Sequence, residues 1–366
     1  MKANPKIVIS GGGTGGHIFP AIAIADALKR RFPEAEILFI GAKGRMEMER
    51  VPKAGYPIEG LWISGMTKDI RSLALPLKLT HSINHAIAVL KRFKPDVVIG
   101  VGGFASGPTL MGANFLGIPT VIQEQNSYPG KTNRNVGKKA QAICVAYDHM
   151  EQWFPAKKIH LTGNPLRANI AASGTRDEAA EYFHLDATKP VVLLIGGSQG
   201  ALGINKGISA QLSAFKDNTL QLIWQTGKGY FEQANQEVKS LGLDDKVKPT
   251  VFIDRMDLAY TLADVVISRA GAMSISELAL VQKPVIFVPL PTAAEDHQTK
   301  NAQRLVDAEA ALMVNNAETE AQLVPTLLQL AGDHEKQEKM KVNIGQFARP
   351  NAADDIVEQI VRVIKQ

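Results

Sequence analysis

Short runs of β-branched and aliphatic residues recur along the chain, separated by stretches long enough for one helix or more. In the first half these runs occupy residues 7–9, 37–40, 97–101, 120–122 and 143–145. After about residue 163 the pattern starts again, with runs at residues 191–195, 220–224, 250–253, 265–267 and 285–288. Strand-like runs that alternate with helix-length stretches are typical of parallel α/β sheets. We therefore predict an α/β fold with two Rossmann-like, doubly wound domains.

Turn-forming residues mark the boundary between the two series of runs. Gly163-Asn-Pro165 lies between them, and such a tripeptide favours a break in regular structure. A chain of 366 residues also corresponds to roughly two domains. We predict domains at residues 1–162 and 163–349. Isoleucines recur every fourth residue over 356–364, as on one face of a helix, so a helix at about 350–366 is expected to pack back on the first domain.

Composition narrows the class of protein. Hydrophobic residues make up 45% and charged residues 21%, values that argue against disorder and against an integral membrane protein. No stretch of ~18 uninterrupted apolar residues occurs, and the start lacks the apolar core of a signal peptide, so any membrane contact is expected to be peripheral. The net charge of +5 without an arginine-rich arm argues against nucleic acid and favours anionic small molecules or lipid. The single Cys144 excludes a disulfide within the chain and is predicted to be a buried, inert thiol.

Glycine-rich turns follow three of the predicted strands. Gly11-Gly-Gly-Thr-Gly-Gly-His17 and Gly196-Gly-Ser-Gln-Gly200 open the two halves, and Gly102-Gly103 follows the run at 97–101. Glycines at such a turn let backbone N–H groups and the positive end of a helix approach a phosphate. A dehydrogenase would explain only the first turn. Three turns at the carboxyl ends of strands in two domains are better explained by a ligand held in an interdomain cleft.

Six motifs extend this pattern along the chain. They are Gly12-Gly-Thr-Gly-Gly-His17, Gly102-Gly-Phe-Ala-Ser-Gly-Pro108, Glu124-Gln-Asn126, Gly163-Asn-Pro-Leu-Arg167, Gly196-Gly-Ser-Gln-Gly200 and Arg269-Ala-Gly-Ala-Met-Ser-Ile-Ser-Glu277. In this order they resemble the MurG family, the peptidoglycan N-acetylglucosaminyltransferases that make lipid II from lipid I. The resemblance runs from about residue 6 to about residue 304 and includes Asp296-His-Gln-Thr-Lys-Asn-Ala302. Two departures are Phe104, where some members carry tyrosine, and His297, where some members have a glutamine.

The resemblance implies a GT-B glycosyltransferase architecture, in which the two Rossmann-like domains face an interdomain cleft. It implies inverting transfer of GlcNAc from UDP-GlcNAc to the C4 hydroxyl of MurNAc in lipid I. Residues 1–162 would receive the acceptor and face the membrane, and 163–349 would bind the donor. No cofactor and no metal are implied, and no Asp-x-Asp tripeptide stands beside a strand end to hold a cation. Helix N-termini after 196–200 and around 272–274 are expected to stabilise the departing UDP.

The resemblance also implies the residues of the site. His17 is the first choice as general base and Glu124 the alternative, since an imidazole titrates in the useful range. Thr14, Gly15 and Gly16 are expected on the phosphate side of the donor or the acceptor. The implied contacts to the donor are Asn126, Arg167, Ser198, Ile253, Ala272, Met273, Ser274, Ile275, Ser276, Glu277 and Gln298.

Structural roles stay open for several of these residues. His17 is also suited to capping or packing at the start of a helix, and Glu124 to accepting hydrogen bonds from loop amides. Ser274-Ile-Ser-Glu277 fits a capping box, in which the glutamate bonds back to the helix start rather than to a ribose. Arg167 could equally form a salt bridge at the hinge.

An amphipathic segment at residues 71–90 is a candidate for membrane contact. Its core-facing stripe consists of Ile83, Ile87 and Leu90. The segment also carries apolar residues that are not needed for this stripe: Leu73, Leu75, Leu77 and Leu79. Basic residues lie close by, at Lys78, Lys91, Arg92 and Lys94. Apolar and basic residues together suit an anionic membrane surface.

The partners expected from this resemblance are UDP-GlcNAc, undecaprenyl-pyrophosphoryl-MurNAc-pentapeptide and the anionic membrane surface. The expected location is the cytoplasmic face of the bacterial plasma (inner) membrane, with association to other cell-wall synthesis proteins. Two alternatives stay open. One is a UDP-sugar transferase that uses another glycolipid or a small molecule as acceptor. The other is a noncatalytic nucleotide-sugar-binding partner of a membrane enzyme.

Overall fold

The computed structural model describes residues 4–63, 75–166, 173–197 and 200–365. The chain divides into two compact units. The first unit comprises Met1–Arg167 together with Arg349–Gln366, and the second comprises Ala168–Ala348. That these units serve the acceptor and the donor, respectively, stays a prediction.

The first unit is built on one parallel sheet. Its strands are β1 Lys6–Ser10, β2 Glu36–Ala42, β3 Ile58–Leu61, β4 Val97–Gly100, β5 Thr120–Glu124, β6 Ala142–Val145 and β7 Ile159–Leu161. The helices between them are α1 Gly15–Arg31, α2 Glu47–Lys53, α3 Leu75–Phe93, α4 Ser106–Phe115 and α5 Lys131–Gly137. The strand order is β3-β2-β1-β4-β5-β6-β7, and the paired strands run parallel.

Strand β1 shows why this sheet carries near-continuous apolar runs. Ile7 and Ile9 belong to the core on one face of the sheet, while Val8 belongs to the core on the other. Successive side chains of a strand point to opposite faces, and helices cover both faces of a parallel sheet. All three residues are therefore fully buried.

The second unit repeats the plan. Its strands are β8 Val191–Ile195, β9 Gln221–Gln225, β10 Val247–Thr250, β11 Val265–Ser268, β12 Val285–Phe287 and β13 Leu312–Met313. Its helices are α6 Arg176–Phe183, α7 Leu202–Ser209, α8 Phe231–Leu241, α9 Met256–Leu262, α10 Ala272–Val281, α11 His297–Asp307, α12 Thr319–Ala331 and α13 His334–Gly345. The order is β10-β9-β8-β11-β12-β13, again parallel. The prediction of two Rossmann-like α/β domains is thus confirmed.

One predicted strand is displaced. We expected residues 250–253, but β10 ends at Thr250, and Val251 and Phe252 that follow it are exposed. Pro249 lies inside β10 and has no N–H to donate, which a strand at the edge of a sheet tolerates. β10 is the edge strand beside β9, and the apolar run marks the segment after it rather than the strand itself.

The last helix, α14 Ala352–Lys365, returns to the first unit. Ile356 and Ile360 are fully buried in the same core as Ile7, and α14 packs against α1. Cys144 is buried in that core too, and burial raises the pKa of its thiol to about 12, as expected for an inert core cysteine.

Each sheet has a position where the direction of strand addition reverses. It lies between β1 and β4 in the first unit and between β8 and β11 in the second. In open α/β sheets, ligands bind beyond the carboxyl ends of the strands at such positions. The residues that follow β1, β4, β8 and β11 are therefore the places to look for a site. Among the described helices, none is long and apolar enough to cross a membrane.

Candidate active site

The two glycine turns of the first unit touch each other beyond β1 and β4. Gly103 has a positive φ of 84°, and a Cβ at this position would overlap the carbonyl group of Gly12. Only glycine permits both the backbone conformation and this close approach. The structure thus brings together two motifs that stand some ninety residues apart in the chain.

A buried carboxylate holds the first of these turns. Glu47, in the first turn of α2, accepts hydrogen bonds from the N–H of Gly13 at 3.0 Å and of Ala42 at 3.0 Å. Its negative charge lies at the positive end of α2, which stabilises it. A Cβ on Gly12 would overlap the carboxylate. Sequence reasoning missed Glu47, because no local pattern connects it to the turn.

Helix α1 begins at this turn without a side-chain cap. Thr14 is the N-cap in an extended conformation, it is exposed, and its hydroxyl makes no capping hydrogen bond. Its carbonyl accepts from the N–H of His17 at 3.1 Å and of Ile18 at 3.2 Å. For the N–H groups of Gly15 and Gly16, the described part of the chain supplies no acceptor. Such a helix start suits an anion.

His17 connects α1 to the segments that follow β4 and β5. Its imidazole lies against Gly102 after β4, where a Cβ would come within 3.0 Å of Cε1. Its Nδ1 lies 3.1 Å from Oε1 of Gln125, the residue that follows β5. A packing role at the helix start therefore does not exclude a chemical one. Gln125 was inside a recognised motif but was not predicted as a site residue.

Glu124 is buried and saturated with hydrogen bonds. Oε1 accepts from the N–H of Asn126 at 3.0 Å and from its side chain at 3.3 Å. Oε2 accepts from the N–H of Gly130 at 3.1 Å and from the Asn133 side chain at 2.9 Å. Burial raises the pKa of Glu124, and these hydrogen bonds oppose that rise. The carboxylate organises the segment between β5 and α5.

In the second unit, α10 begins at Ala272, with Gly271 as N-cap and no side-chain capping bond. The capping-box interpretation of Ser274 and Glu277 is wrong, because both residues lie inside the helix. Glu277 instead accepts a hydrogen bond from the hydroxyl of Tyr260 at 3.2 Å.

The neighbours of Glu277 on α10 differ in what they can offer a ligand. The side chain of Ile275 is buried in the core, so only its backbone is suited to ligand contact. Ser276 donates to the carbonyl of Ala272 at 3.0 Å, and Met273 and Ser274 are partly exposed.

Gln225, at the end of β9, links two predicted donor segments. Its Nε2 donates to the carbonyl of Gly197 at 2.9 Å, and its Oε1 accepts from the N–H of Ile253 at 3.1 Å. The side chain of Ile253 is buried in the core. The N–H of Ile253 is therefore already hydrogen-bonded within the protein. Gln225 positions both segments, and sequence reasoning missed it.

The segment after β12 is held by two side chains from other elements. Arg269 Nη1 donates to the carbonyls of Val288 at 2.9 Å and Pro289 at 3.1 Å. Burial lowers the pKa of Arg269 to about 10, so the guanidinium stays charged near neutral pH. The Oε1 of Gln298, on α11, accepts from the N–H of Leu290 at 2.9 Å.

Three of the predicted residues, Arg167, Ser198 and Leu73, lie outside the described part of the chain, as does the side chain of Leu75. Leu77 is 74% exposed, whereas Leu79 is partly buried. Sequence reasoning missed three other exposed apolar side chains near or on α3 and α4: Trp62, Met111 and Phe115. Within the described ranges, no three His, Cys, Asp or Glu side chains are grouped as metal ligands would be.

Both halves of the chain match known protein families. Residues 7–145 match the glycosyltransferase family 28 N-terminal domain, and residues 191–359 match the glycosyltransferase family 28 C-terminal domain.

Curated relatives match over nearly the whole chain. One from Flavobacterium psychrophilum is 51% identical over 363 residues, 98% of each chain. One from Porphyromonas gingivalis is 50% identical over 369 residues, 100% of this chain and 97% of the relative. Both are named UDP-N-acetylglucosamine--N-acetylmuramyl-(pentapeptide) pyrophosphoryl-undecaprenol N-acetylglucosamine transferase.

Solved structures agree with the fold. The crystal structure of Acinetobacter baumannii MurG superposes with a TM-score of 0.80 at 30% identity, covering 98% of this chain and 99% of that one. A Neisseria meningitidis UDP-GlcNAc 2-epimerase bound to UDP-GlcNAc gives 0.66 at 17% identity, covering 98% and 100%. The second likeness concerns the fold alone.

Proposed function

The chain belongs to glycosyltransferase family 28, and from that premise we propose that it transfers GlcNAc from UDP-GlcNAc to lipid I, forming lipid II. The observation that carries this proposal is the 51% identity, over 98% of both chains, to a transferase named for that reaction. Two parallel α/β units of GT-B type, each with a glycine turn at its switch position, agree with it.

We propose that His17 is the general base. The C4 hydroxyl of MurNAc attacks the anomeric carbon of GlcNAc from the side opposite the diphosphate. A new C–O bond forms, the bond from C1 to the phosphate oxygen breaks, and its electron pair leaves with UDP. His17 accepts the hydroxyl proton. Its position at the junction of α1, Gly102 and Gln125, beyond the carboxyl ends of β1 and β4, supports this role.

Glu124 serves the site better as a structural carboxylate. Each of its oxygens already accepts two hydrogen bonds from the segment that follows β5. Removing a proton from a hydroxyl would require the carboxylate to exchange one of these bonds. Glu124 thus shapes the segment that carries Asn126 and leaves proton transfer to His17.

We propose that the second unit binds the donor. The start of α10, where the N-cap Gly271 makes no side-chain capping bond, places the partial positive charge of a helix end where a diphosphate can bind. Glu277, oriented by Tyr260, is suited to accept hydrogen bonds from ribose hydroxyls. Roles for Arg167 and Ser198 at the donor rest on the motif resemblance.

We also propose peripheral attachment to the cytoplasmic face of the plasma membrane. Leu77 is 74% and Trp62 49% exposed, and the Lys78 ammonium lies 5.5 Å from the centre of the Trp62 ring. Met111 and Phe115 are exposed on α4, which packs against α3. Apolar and basic groups together favour an anionic lipid surface, where a polyprenyl acceptor keeps its pyrophosphate.

The decisive experiment measures transfer of radiolabelled GlcNAc from UDP-GlcNAc onto a lipid I analogue by the purified chain. We expect a lipid-linked disaccharide product, and ~10²–10⁴-fold less of it from the His17→Ala variant over the same period. Parallel reactions with other glycolipids and small-molecule sugars serve as controls for the acceptor. Turnover on those acceptors alone, or UDP-GlcNAc binding without any turnover, would contradict the proposal.

A further inference from the structure

Three buried amide side chains connect His17 to the interior of the first unit. Gln125 and Asn164 are each 2% exposed and Gln123 is fully buried. Such side chains are costly to bury unless their donors and acceptors are matched. Their hydrogen bonds therefore determine which end of each amide is oxygen and which is nitrogen.

Backbone carbonyls fix the orientation of these three amide side chains, because a carbonyl accepts hydrogen bonds and never donates them. The carbonyl of Gln125 accepts from Asn164 at 3.1 Å, so the Asn164 atom there is Nδ2. Oδ1 of Asn164 then accepts from Nε2 of Gln123 at 3.0 Å. The carbonyl oxygen of the Gln123 side chain is left to face Nε2 of Gln125, from which it accepts.

A second backbone carbonyl fixes Gln125 independently. Its Nε2 donates to the carbonyl of Val101 at 2.8 Å. A longer contact of 3.4 Å joins the same nitrogen to the backbone carbonyl of Gln123. Because all three acceptors of the Gln125 amide nitrogen are oxygens, its own Oε1 must point the other way, toward His17. That oxygen lies 3.1 Å from Nδ1 of the imidazole.

An amide oxygen only accepts, so the imidazole nitrogen that faces it must carry a hydrogen. In the neutral ring the proton then resides on Nδ1, and Nε2 is the basic atom. We propose that Gln125 is a positioning residue that fixes His17 in the Nδ1–H tautomer, which makes Nε2 the proton acceptor. The catalytic use of this tautomer rests on the proposed function, whereas the tautomer itself does not.

The proposal is tested first on the unmodified protein. Near pH 8 an ordinary imidazole is neutral, and two-dimensional ¹H–¹⁵N spectra of ¹⁵N-histidine-labelled protein distinguish the two ring nitrogens. The signals of His17 are those that disappear in His17→Ala. We expect a protonated Nδ1 and an unprotonated Nε2. The reverse pattern overturns the proposal without any variant of Gln125.

The second arm uses Gln125→Met, which keeps the length of the side chain and removes its polar atoms. We expect the His17 signals to move toward a mixture of tautomers, and kcat to fall about 10–100-fold, the size of effect seen when the partner that orients a metal-bound histidine is removed. KM for UDP-GlcNAc should change by less than about threefold. An unchanged tautomer in this variant contradicts the proposal.

Gln221→Met is the matched control. Gln221 is also 2% exposed and makes two backbone hydrogen bonds, to Asp186, but it lies in the second unit. We expect a comparable loss of thermal stability with no change in the His17 signals. Should the tautomer assignment hold while His17→Ala retains normal turnover, the proposed base would fail and the positioning of the ring would stand.

Discussion

At the scale of single residues, the first unit uses two buried carboxylates as loop anchors. Glu47 accepts from the N–H groups of Gly13 and Ala42, and Glu124 accepts from those of Asn126 and Gly130. Each supplies an acceptor to backbone N–H groups in a loop or at the end of a strand. An unsatisfied buried donor costs about 1–3 kcal/mol, so these glutamates have a structural consequence that is separable from chemistry.

The first prediction concerns Glu47. In Glu47→Gln one oxygen becomes an NH₂ group, which faces a backbone N–H that it cannot bond. We expect the free energy of unfolding to fall by about 1–3 kcal/mol, measured by denaturant titration. Glu49→Gln is the control, because Glu49 is exposed on the same helix and its pair with Lys53 is screened by solvent, so that its loss should change stability little. Equal losses in the two variants would contradict an anchoring role for Glu47.

The second prediction concerns His17. A general base acts on the acceptor hydroxyl and not on the nucleotide, so His17→Ala should lower kcat by ~10²–10⁴ while leaving the affinity for UDP nearly unchanged. Steady-state kinetics and calorimetric titration with UDP measure the two effects. A parallel loss of UDP affinity would make His17 a donor ligand, and near-normal turnover would return the role to Glu124 or another group.

Some contacts of single residues could not be predicted from the sequence. The motifs that contain His17 and Glu124 were visible because glycines and charged groups mark them locally. Gln125 stands inside one of these motifs, but its contact to His17 spans 108 positions, and nothing in the local pattern indicates it. Glu47 and Gln225 were missed for the same reason, because each bonds the backbone of a segment that lies 34 and 28 positions away, respectively.

At the scale of elements, the period of the apolar runs was sufficient to predict the central strands β1, β4, β8 and β11. Both faces of these strands are buried, so the sequence carries an unbroken apolar signal. The edge strands were not predictable in this way. β13 has only two residues, both partly buried, and β10 contains a proline and ends where the apolar run begins.

A prediction at this scale concerns the start of α9. Asp257, in its first turn, accepts hydrogen bonds from Arg255 and from the Ser173 hydroxyl, and these hold the pKa of Asp257 well below its usual value. A depressed carboxyl pKa contributes stability above the unfolded-state pKa of about 3.9, and that contribution is lost as pH falls through the folded-state value. Asp257→Asn should therefore lower Tm at pH 7, by the equivalent of up to about 1 kcal/mol for a surface pair.

Melts recorded across a pH series provide the test. The difference in Tm between Asp257→Asn and the parent should shrink steadily once the pH drops below about 4. Asp245→Asn, at an exposed position in the same unit, should follow the parent at every pH. A difference that is independent of pH would mean that Asp257 acts through packing rather than charge.

At the scale of the whole molecule, the two units share one arrangement of strands. In each unit the first strand enters a glycine turn, and the fourth strand lies on the other side of the first. The right-handed crossover rule limits the orders that alternating strands and helices can adopt, but it does not by itself select this one. The return of α14 to the first unit follows from its buried isoleucines, which need an apolar surface.

The last prediction concerns contact with the membrane. Burying one exposed leucine or tryptophan in lipid is worth roughly 1.5–3 kcal/mol, and each nearby basic group about 1 kcal/mol. The basic contribution decays over a Debye length of about 10 Å at 0.1 M salt. Sedimentation with anionic liposomes should therefore weaken as salt rises but leave a salt-resistant remainder, and a Trp62→Ser, Leu77→Ser variant should reduce that remainder.

The control for this variant is Val342→Ser, since Val342 is 66% exposed in the second unit. All three proteins must first give the same thermal melt, so that a change in sedimentation reports surface chemistry and not unfolding. The loss of about 3–6 kcal/mol of apolar transfer corresponds to a partition coefficient lower by at least a hundredfold. If the double variant sediments like the parent and the control at every salt concentration, Trp62 and Leu77 do not contact lipid, and the apolar side chains of α4 become the next residues to test.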